Sequence, residues 1–166
     1  VIQQPPVYLD KAKSIERACE LIAEAAGQDV KLVVFHETWL PGYPTFVWRL
    51  LPGAGMGVTD ELFALSQANS VDLLKNDLAP IQEAARENEM VVVLGHQEVD
   101  SSVSGSTLFN SVAIIDADGT LLNNHRKLMP TNPERMVWGF GDGSTLKVVD
   151  TAVGRVGALI CWENYM

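Results

Sequence analysis

Three reactive side chains of unlike chemistry each fall just past an apolar run. Glu37 follows Leu32–Phe35, Lys127 comes a few residues after Leu121–Asn124, and Cys161 directly follows Val156–Ile160. A carboxylate can take a proton, an ammonium can hold developing negative charge, and a thiolate can attack carbon. Ligands of open α/β sheets bind in the crevice at the carboxyl ends of strands, so three such groups at three strand ends fit a composed site. Each also has an ordinary reading. Glu37 can be a solvated loop carboxylate, Lys127 of the Arg126-Lys127 pair a surface charge, and Cys161 a core thiol. Spacing alone leaves both readings open.

The elements that must position these groups show as periodicity. Ile15, Ala18, Cys19, Ile22 and Ala25 recur at helical spacing between about Lys11 and Ala26, and Gly27 is a natural stop. Lys31–Phe35 and Met90–Gly95 are short apolar runs, as expected of strands buried on both faces. Val1–Gln4 reads as the tail of a strand, and His36–Pro52, with three prolines, as an aromatic-rich loop. Asp60–Asn88 reads as helix in two pieces, with Val71, Leu74, Leu78 and Ile81 on its apolar face. Leu108–Ile115 and Thr120–Asn124 form a hairpin around Asp116–Gly119. Leu146–Asp150 and Arg155–Ile160 form another pair, turning at Val153-Gly154. A β-α-β-α-β order followed by a run of strands predicts a layered α/β domain with a mixed sheet.

Composition bounds the rest. The 166 residues suffice for one domain with a core and have an ordinary soluble balance of apolar and charged residues. No apolar run reaches the roughly 18 residues of a bilayer span, and no leader pattern shows, so a cytoplasmic protein without membrane contact is the expectation. Twelve basic against 21 acidic residues, net charge -9, argue against nucleic acid as a partner. Two cysteines do not make a disulfide scaffold, and Cys19, in an apolar helical pattern, reads as a buried inert thiol. His36, His96 and His125 are scattered, so no metal site is expected. The chain stops six residues after the apolar residue Ile160, with no covering helix. That end reads as a fragment of a longer chain, cut at both ends, with a short protein bearing a mobile tail as the alternative.

Three longer words sharpen the picture. Phe35-His36-Glu37-Thr38-Trp39-Leu40-Pro41-Gly42-Tyr43-Pro44 resembles the segment around the catalytic glutamate of the nitrilase superfamily. His125–Thr131, followed by Glu134-Arg135 and Trp138–Gly143, resembles the lysine segment of the nitrilase branch. Cys161-Trp162-Glu163-Asn164-Tyr165-Met166 is similar to that branch's nucleophile segment, and the Glu, Lys, Cys order agrees. His36 stands where many relatives have proline. The resemblance runs over residues 1–166 as the N-terminal portion of a carbon–nitrogen hydrolase domain. It implies an α-β-β-α sandwich, here incomplete at both ends, and homo-oligomers in the full-length form.

The resemblance also implies roles. Glu37 is the general base, Cys161 the nucleophile and Lys127 the stabiliser of developing charge, with the backbone N–H of Trp162 as a second donor. Glu134 matches the family's second glutamate and orients Lys127 and the substrate. Tyr43, Trp138 and Trp162 are implied pocket walls, although on physics alone they serve equally as core. The implied reaction turns a nitrile and two waters into a carboxylic acid and ammonia, through thioimidate and acyl-enzyme intermediates and without a cofactor. The rivals are an amidase or a cyanide-hydrolysing relative with the same cysteine chemistry, and a truncated, non-catalytic fragment. The isolated chain is expected to be weakly active or inactive beside a longer parent.

Overall fold

The computed structural model describes residues 1–50, 53, 55–102 and 104–165. Pro52 and Met166, which close two of the segments read above, lie outside the described residues. Four strands form one mixed sheet in the order β1-β2-β3-β4: β1 (Leu32–Leu40), β2 (Val91–Val99), β3 (Leu108–Ile115) and β4 (Leu121–Arg126). β1 and β2 are parallel and the other two pairs antiparallel. Ile2 adds a parallel bridge to Phe35, which is the strand tail expected at the N-terminus.

Side-chain alternation sorts the sheet into two faces. Val33, Phe35, Val92, Leu94, Ala113 and Ile115 face helices α1 (Lys11–Ala26) and α3 (Ala79–Glu87), which contribute Ala18, Leu21, Ile22, Ile81 and Ala85 to one core. Each large aliphatic side chain buried there stabilises the fold by about 1.5–3 kcal/mol relative to exposure. Asp10 caps α1 by accepting from the Lys13 N–H at 3.0 Å. On the other face Val93, Val112 and Ile114 pack against Ile160, with Val149, Val156 and Ala158 beside them. The described residues thus supply a helical layer, a mixed sheet and the chain segment lying over its second face. Among them no helix is long and apolar enough to cross a membrane.

Several elements differ from the sequence reading. The stretch read at Asp60–Asn88 does fall in two pieces, but it starts earlier, as α2 (Met56–Ala68) and α3 separated by a 3₁₀ turn at Leu73–Lys75. Val71, Leu78 and Ile81 are buried as expected, but Leu74 on that turn is exposed. The last strand is shorter than expected. β5 (Val149–Thr151) and β6 (Gly154–Val156) form a two-stranded ladder, and Gly157–Ile160 continue without one.

The most consequential difference is in β1, which does not stop at Phe35 but runs on to Leu40. Its register with β2 jumps there: Phe35 pairs with Leu94, and the next pair is Leu40 with His96. Residues 36–39 therefore bulge opposite Gly95 alone, and Thr38 takes a φ of +43°. A Cβ on Gly95 would lie 2.2 Å from the His36 carbonyl oxygen and 2.9 Å from the Glu37 Cα. Only glycine lets β2 pass under the bulge that carries Glu37. Gly95→Ala is therefore expected to lower stability by about 2–3 kcal/mol, because backbone on both sides must move. A urea midpoint equal to the parent's would refute this.

Candidate active site

Glu37 lies in the bulge of β1, inside the strand rather than beyond it. Lys127 is the first residue after β4, and its N–H still donates to the Asn110 carbonyl of β3 at 2.8 Å. The adjoining basic pair is split between two surroundings. Arg126 pairs with Glu98 and with Asp100 (2.9 Å) and lies 4.1 Å over the Phe109 ring. Lys127, only 1 % exposed, donates from Nζ to Glu37 Oε1 and to Glu134 Oε2, each at 2.8 Å. Gly141 covers this strand end. Its N–H donates to the Lys127 carbonyl at 2.8 Å, and a Cβ there would lie 2.2 Å from the Arg126 carbonyl oxygen.

Burial alone would drive the Lys127 ammonium towards its neutral form. The hydrogen bonds to Glu134 and then Glu37 outweigh that and hold its pKa above the ordinary lysine value. Two of its three N–H groups are thus spoken for, and the third has no protein partner among the described residues. Glu37 receives both its bonds on one oxygen, Oε1, from Lys127 and from Asn110 Nδ2 at 2.7 Å. Oε2 has no protein partner among the described residues and remains open to accept a proton.

Glu134, on the 3₁₀ turn Asn132–Met136, accepts on both of its oxygens. Oε2 takes Lys127 and the Thr131 N–H (2.7 Å), and Oε1 takes the Tyr43 hydroxyl (2.6 Å). With three donors on it, this carboxylate is suited to holding Lys127 rather than moving a proton. Burial foremost, and then the bond to Glu134, push the Tyr43 phenol well above its ordinary value, so it stays a donor. Tyr43→Phe leaves a buried carboxylate oxygen unpaired. It is expected to cost about 1–3 kcal/mol, read as a lower urea midpoint with an unchanged slope.

Cys161 opens the 3₁₀ turn Cys161–Tyr165 in a left-handed conformation, φ +56°. It is exposed, and it lines a cavity of about 460 Å³ together with Glu37, Gly95, Ser111, Ala158 and Asn164. Glu37 and Cys161 thus line one space; Lys127, Glu134 and the expected pocket wall Tyr43 are not among its lining residues, and Lys127 is joined to it through its bond to Glu37. The aromatic residues are placed differently from one another. Tyr43 sits against Glu134. Trp138 is core: it is 2 % exposed, stacks edge-on to Tyr43 at 5.5 Å and donates from Nε1 to Gln97 Oε1 at 2.8 Å. Trp162 is 59 % exposed beside Tyr165, and neither indole lines the cavity of Cys161. Cys19 is half-buried rather than fully buried; burial pushes its thiol pKa up, and Sγ donates to the Pro80 carbonyl at 3.5 Å.

Two residues of the site escaped the sequence reading. Asn110 is a buried amide that, with Ser111, interrupts an apolar strand, and that polar interruption is the available signal. In the sequence Glu163 is visible only as part of the nucleophile word. Its side chain is buried and binds His125 Nε2 and the backbone N–H groups of Leu128 and Ile160.

The chain matches the carbon-nitrogen hydrolase family over residues 1–166 and belongs to that family. It is 41 % identical over 165 residues to an arylacetonitrilase of Aspergillus niger, covering 99 % of this chain and 47 % of that protein. It is 39 % identical to an aliphatic nitrilase of Rhodococcus rhodochrous, covering 99 % and 43 %. The chain therefore spans about half the length of the curated relatives it matches. Its fold is that of a carbon-nitrogen hydrolase from Helicobacter pylori: TM-score 0.71 at 21 % identity, over 98 % of this chain and 51 % of the other.

Proposed function

We propose that the protein hydrolyses a nitrile to a carboxylic acid and ammonia through a covalent bond to Cys161. The observation that carries this reading is the juxtaposition of Glu37, with its open Oε2, and Cys161 on one cavity, with Lys127 held against Glu37 by Glu134. The relatives named above, an arylacetonitrilase and an aliphatic nitrilase, support the choice of substrate class.

A nitrile carbon is a weak electrophile, and a free thiol, with a pKa of about 8.5, is mostly protonated at neutral pH. Glu37 Oε2 takes the Cys161 proton as sulfur adds to the nitrile carbon, and the proton passes to the nitrogen to give a thioimidate. Water then adds to the thioimidate carbon, giving its proton to Glu37. The nitrogen takes up that proton and then the proton of the new hydroxyl, and it leaves as ammonia as that hydroxyl becomes the carbonyl of a thioester. A second water, deprotonated in the same way, attacks the thioester; the acid departs and the thiol is restored. To the N–H of Lys127 that has no protein partner among the described residues we assign the stabilisation of the charge that builds first on nitrogen and then on oxygen. One such donor contributes roughly 3–4 kcal/mol to lowering the barrier.

The test is ammonia release by the full-length form of the protein from aliphatic and aryl nitriles, the matching amides, and cyanide, with the 166-residue chain alone assayed beside it and expected to be weakly active or inactive. The expected result is turnover of nitriles, with an acyl adduct on Cys161 in acid-quenched samples. Turnover of amides or cyanide without nitriles, or no adduct on Cys161, would overturn the proposal.

A further inference from the structure

We infer that Glu163 is the positioning residue that fixes Cys161 against the Lys127 strand end. The inference rests on the reading of Cys161 as nucleophile and adds what holds it in place. Cys161 sits in a left-handed conformation that non-glycine residues rarely adopt, on a segment with no strand pairing from Gly157 to Ile160. Something other than a ladder must therefore hold the sulfur in register with Glu37.

The Glu163 carboxylate does this from both oxygens. Oε2 accepts at 2.7 Å from the N–H of Ile160, the residue just before Cys161. Oε1 accepts from the Leu128 N–H at 2.8 Å, the peptide just after Lys127. His125 Nε2, on β4, donates between them at 3.0 and 3.1 Å. Glu163 also donates its own N–H to the Ile160 carbonyl at 3.2 Å, so the turn is capped reciprocally around the cysteine. Glu134 works in the same way on the other side of Lys127. It reaches back to the Thr131 N–H at the start of its own turn while gripping the lysine. Two capping glutamates thus lock two turns onto one strand end, one by the lysine ammonium and one by the backbone beside it.

The replacement Glu163→Gln separates this role from bulk. Glutamine fills the same volume but has one acceptor oxygen. The Ile160 and Leu128 amides bind different oxygen positions, so in glutamine one of them meets an NH₂ group. The experiment follows alkylation of Cys161 by iodoacetamide at pH 7, resolved from Cys19 by peptide mass spectrometry, in the full chain and in E37Q, E163Q and the double variant. Sulfur reacts fast only if Glu37 assists it. The expected result is a fall on the order of 10- to 100-fold in E37Q and in E163Q, with the double variant no slower than E163Q alone. If the parent reacts no faster than E37Q, the nucleophile reading fails. If E37Q is slow and folded E163Q matches the parent, the reading stands and the inference fails. Effects that multiply in the double variant also overturn it, because a residue that only stabilises the fold acts independently of Glu37. If E163Q does not fold, amide hydrogen exchange of the parent decides. Ile160 and Leu128 have no backbone acceptor among the described residues, so protection of both supports the clip, and open-chain exchange at either refutes it.

Discussion

Replacing Lys127 with methionine is expected to lower the stability of the fold by about 3 kcal/mol and to abolish turnover. The stability effect follows from what the ammonium neutralises. Lys127 is 1 % exposed, and its partners Glu134 and Glu37 are 3 % and 27 % exposed. Methionine conserves most of the volume but strands a buried carboxylate at Glu134. Breaking a buried pair by removing one partner costs about 3–5 kcal/mol, and the lower end applies because Glu37 keeps contact with water. The pH dependence has a definite sign. The pKa of Lys127 lies above its ordinary value of about 10.5, so its stabilising effect is fully present below that pH. It is lost only as pH rises through the higher folded-state value. Urea midpoints of parent and variant should therefore differ by a constant amount from pH 7 to about pH 10 and converge above that. Equal midpoints at pH 7 would show that the two carboxylates do not depend on the lysine.

The parts of this molecule that were readable from sequence are those governed by local pattern. α1 runs over the predicted residues because its apolar spacing, its Asp10 cap and Gly27 all agree. β3 begins and ends where the apolar run does. β1 was cut short because His36-Glu37-Thr38-Trp39 carries no strand alternation, and the reason is the bulge itself. Its residues are held by a parallel partner some 60 residues away, through the close approach at Gly95, and no local pattern records that pairing. The opposite error occurred before Cys161. Gly157–Ile160 is apolar enough for a strand, yet Ile160 spends its side chain on Val93, Val112 and Ile114 and its N–H on Glu163.

The site divides along the same line. Glu37, Lys127, Glu134 and Cys161 stood out through their sequence words, whereas their supports did not. Asn110, Gly95 and Glu163 act only by virtue of which strand or turn lies opposite them. A glutamate two residues after a cysteine has no visible meaning until its carboxylate is seen between two backbone amides 32 residues apart in sequence, at Leu128 and Ile160. Trp138 shows the converse. The family resemblance implies a pocket wall there, but on the turn that follows Glu134 its indole bonds to Gln97 and packs in the core, the reading that physics alone leaves equally open.

Glu37→Gln is expected to reduce turnover by about 10²- to 10⁴-fold while leaving stability within about 1 kcal/mol of the parent. The two effects separate because Glu37 uses its two oxygens differently. Oε1 receives Lys127 and Asn110, and a glutamine oxygen in that place accepts both bonds. The amide nitrogen then occupies the position of Oε2, where no protein donor stands among the described residues to clash with it. The packing of the bulge and the lysine pairing survive, unlike in the Lys127 variant. What disappears is the unbonded basic oxygen of a residue that lines the cavity of Cys161. An amide cannot take a proton from the thiol or from either water, so each step that needs one slows. Rate measurements on both variants across pH 6–9, beside urea titrations, give the comparison. Loss of rate with unchanged stability is the expected signature of a proton acceptor. An unchanged rate in E37Q would remove Glu37 from the chemistry and leave it a structural partner of Lys127.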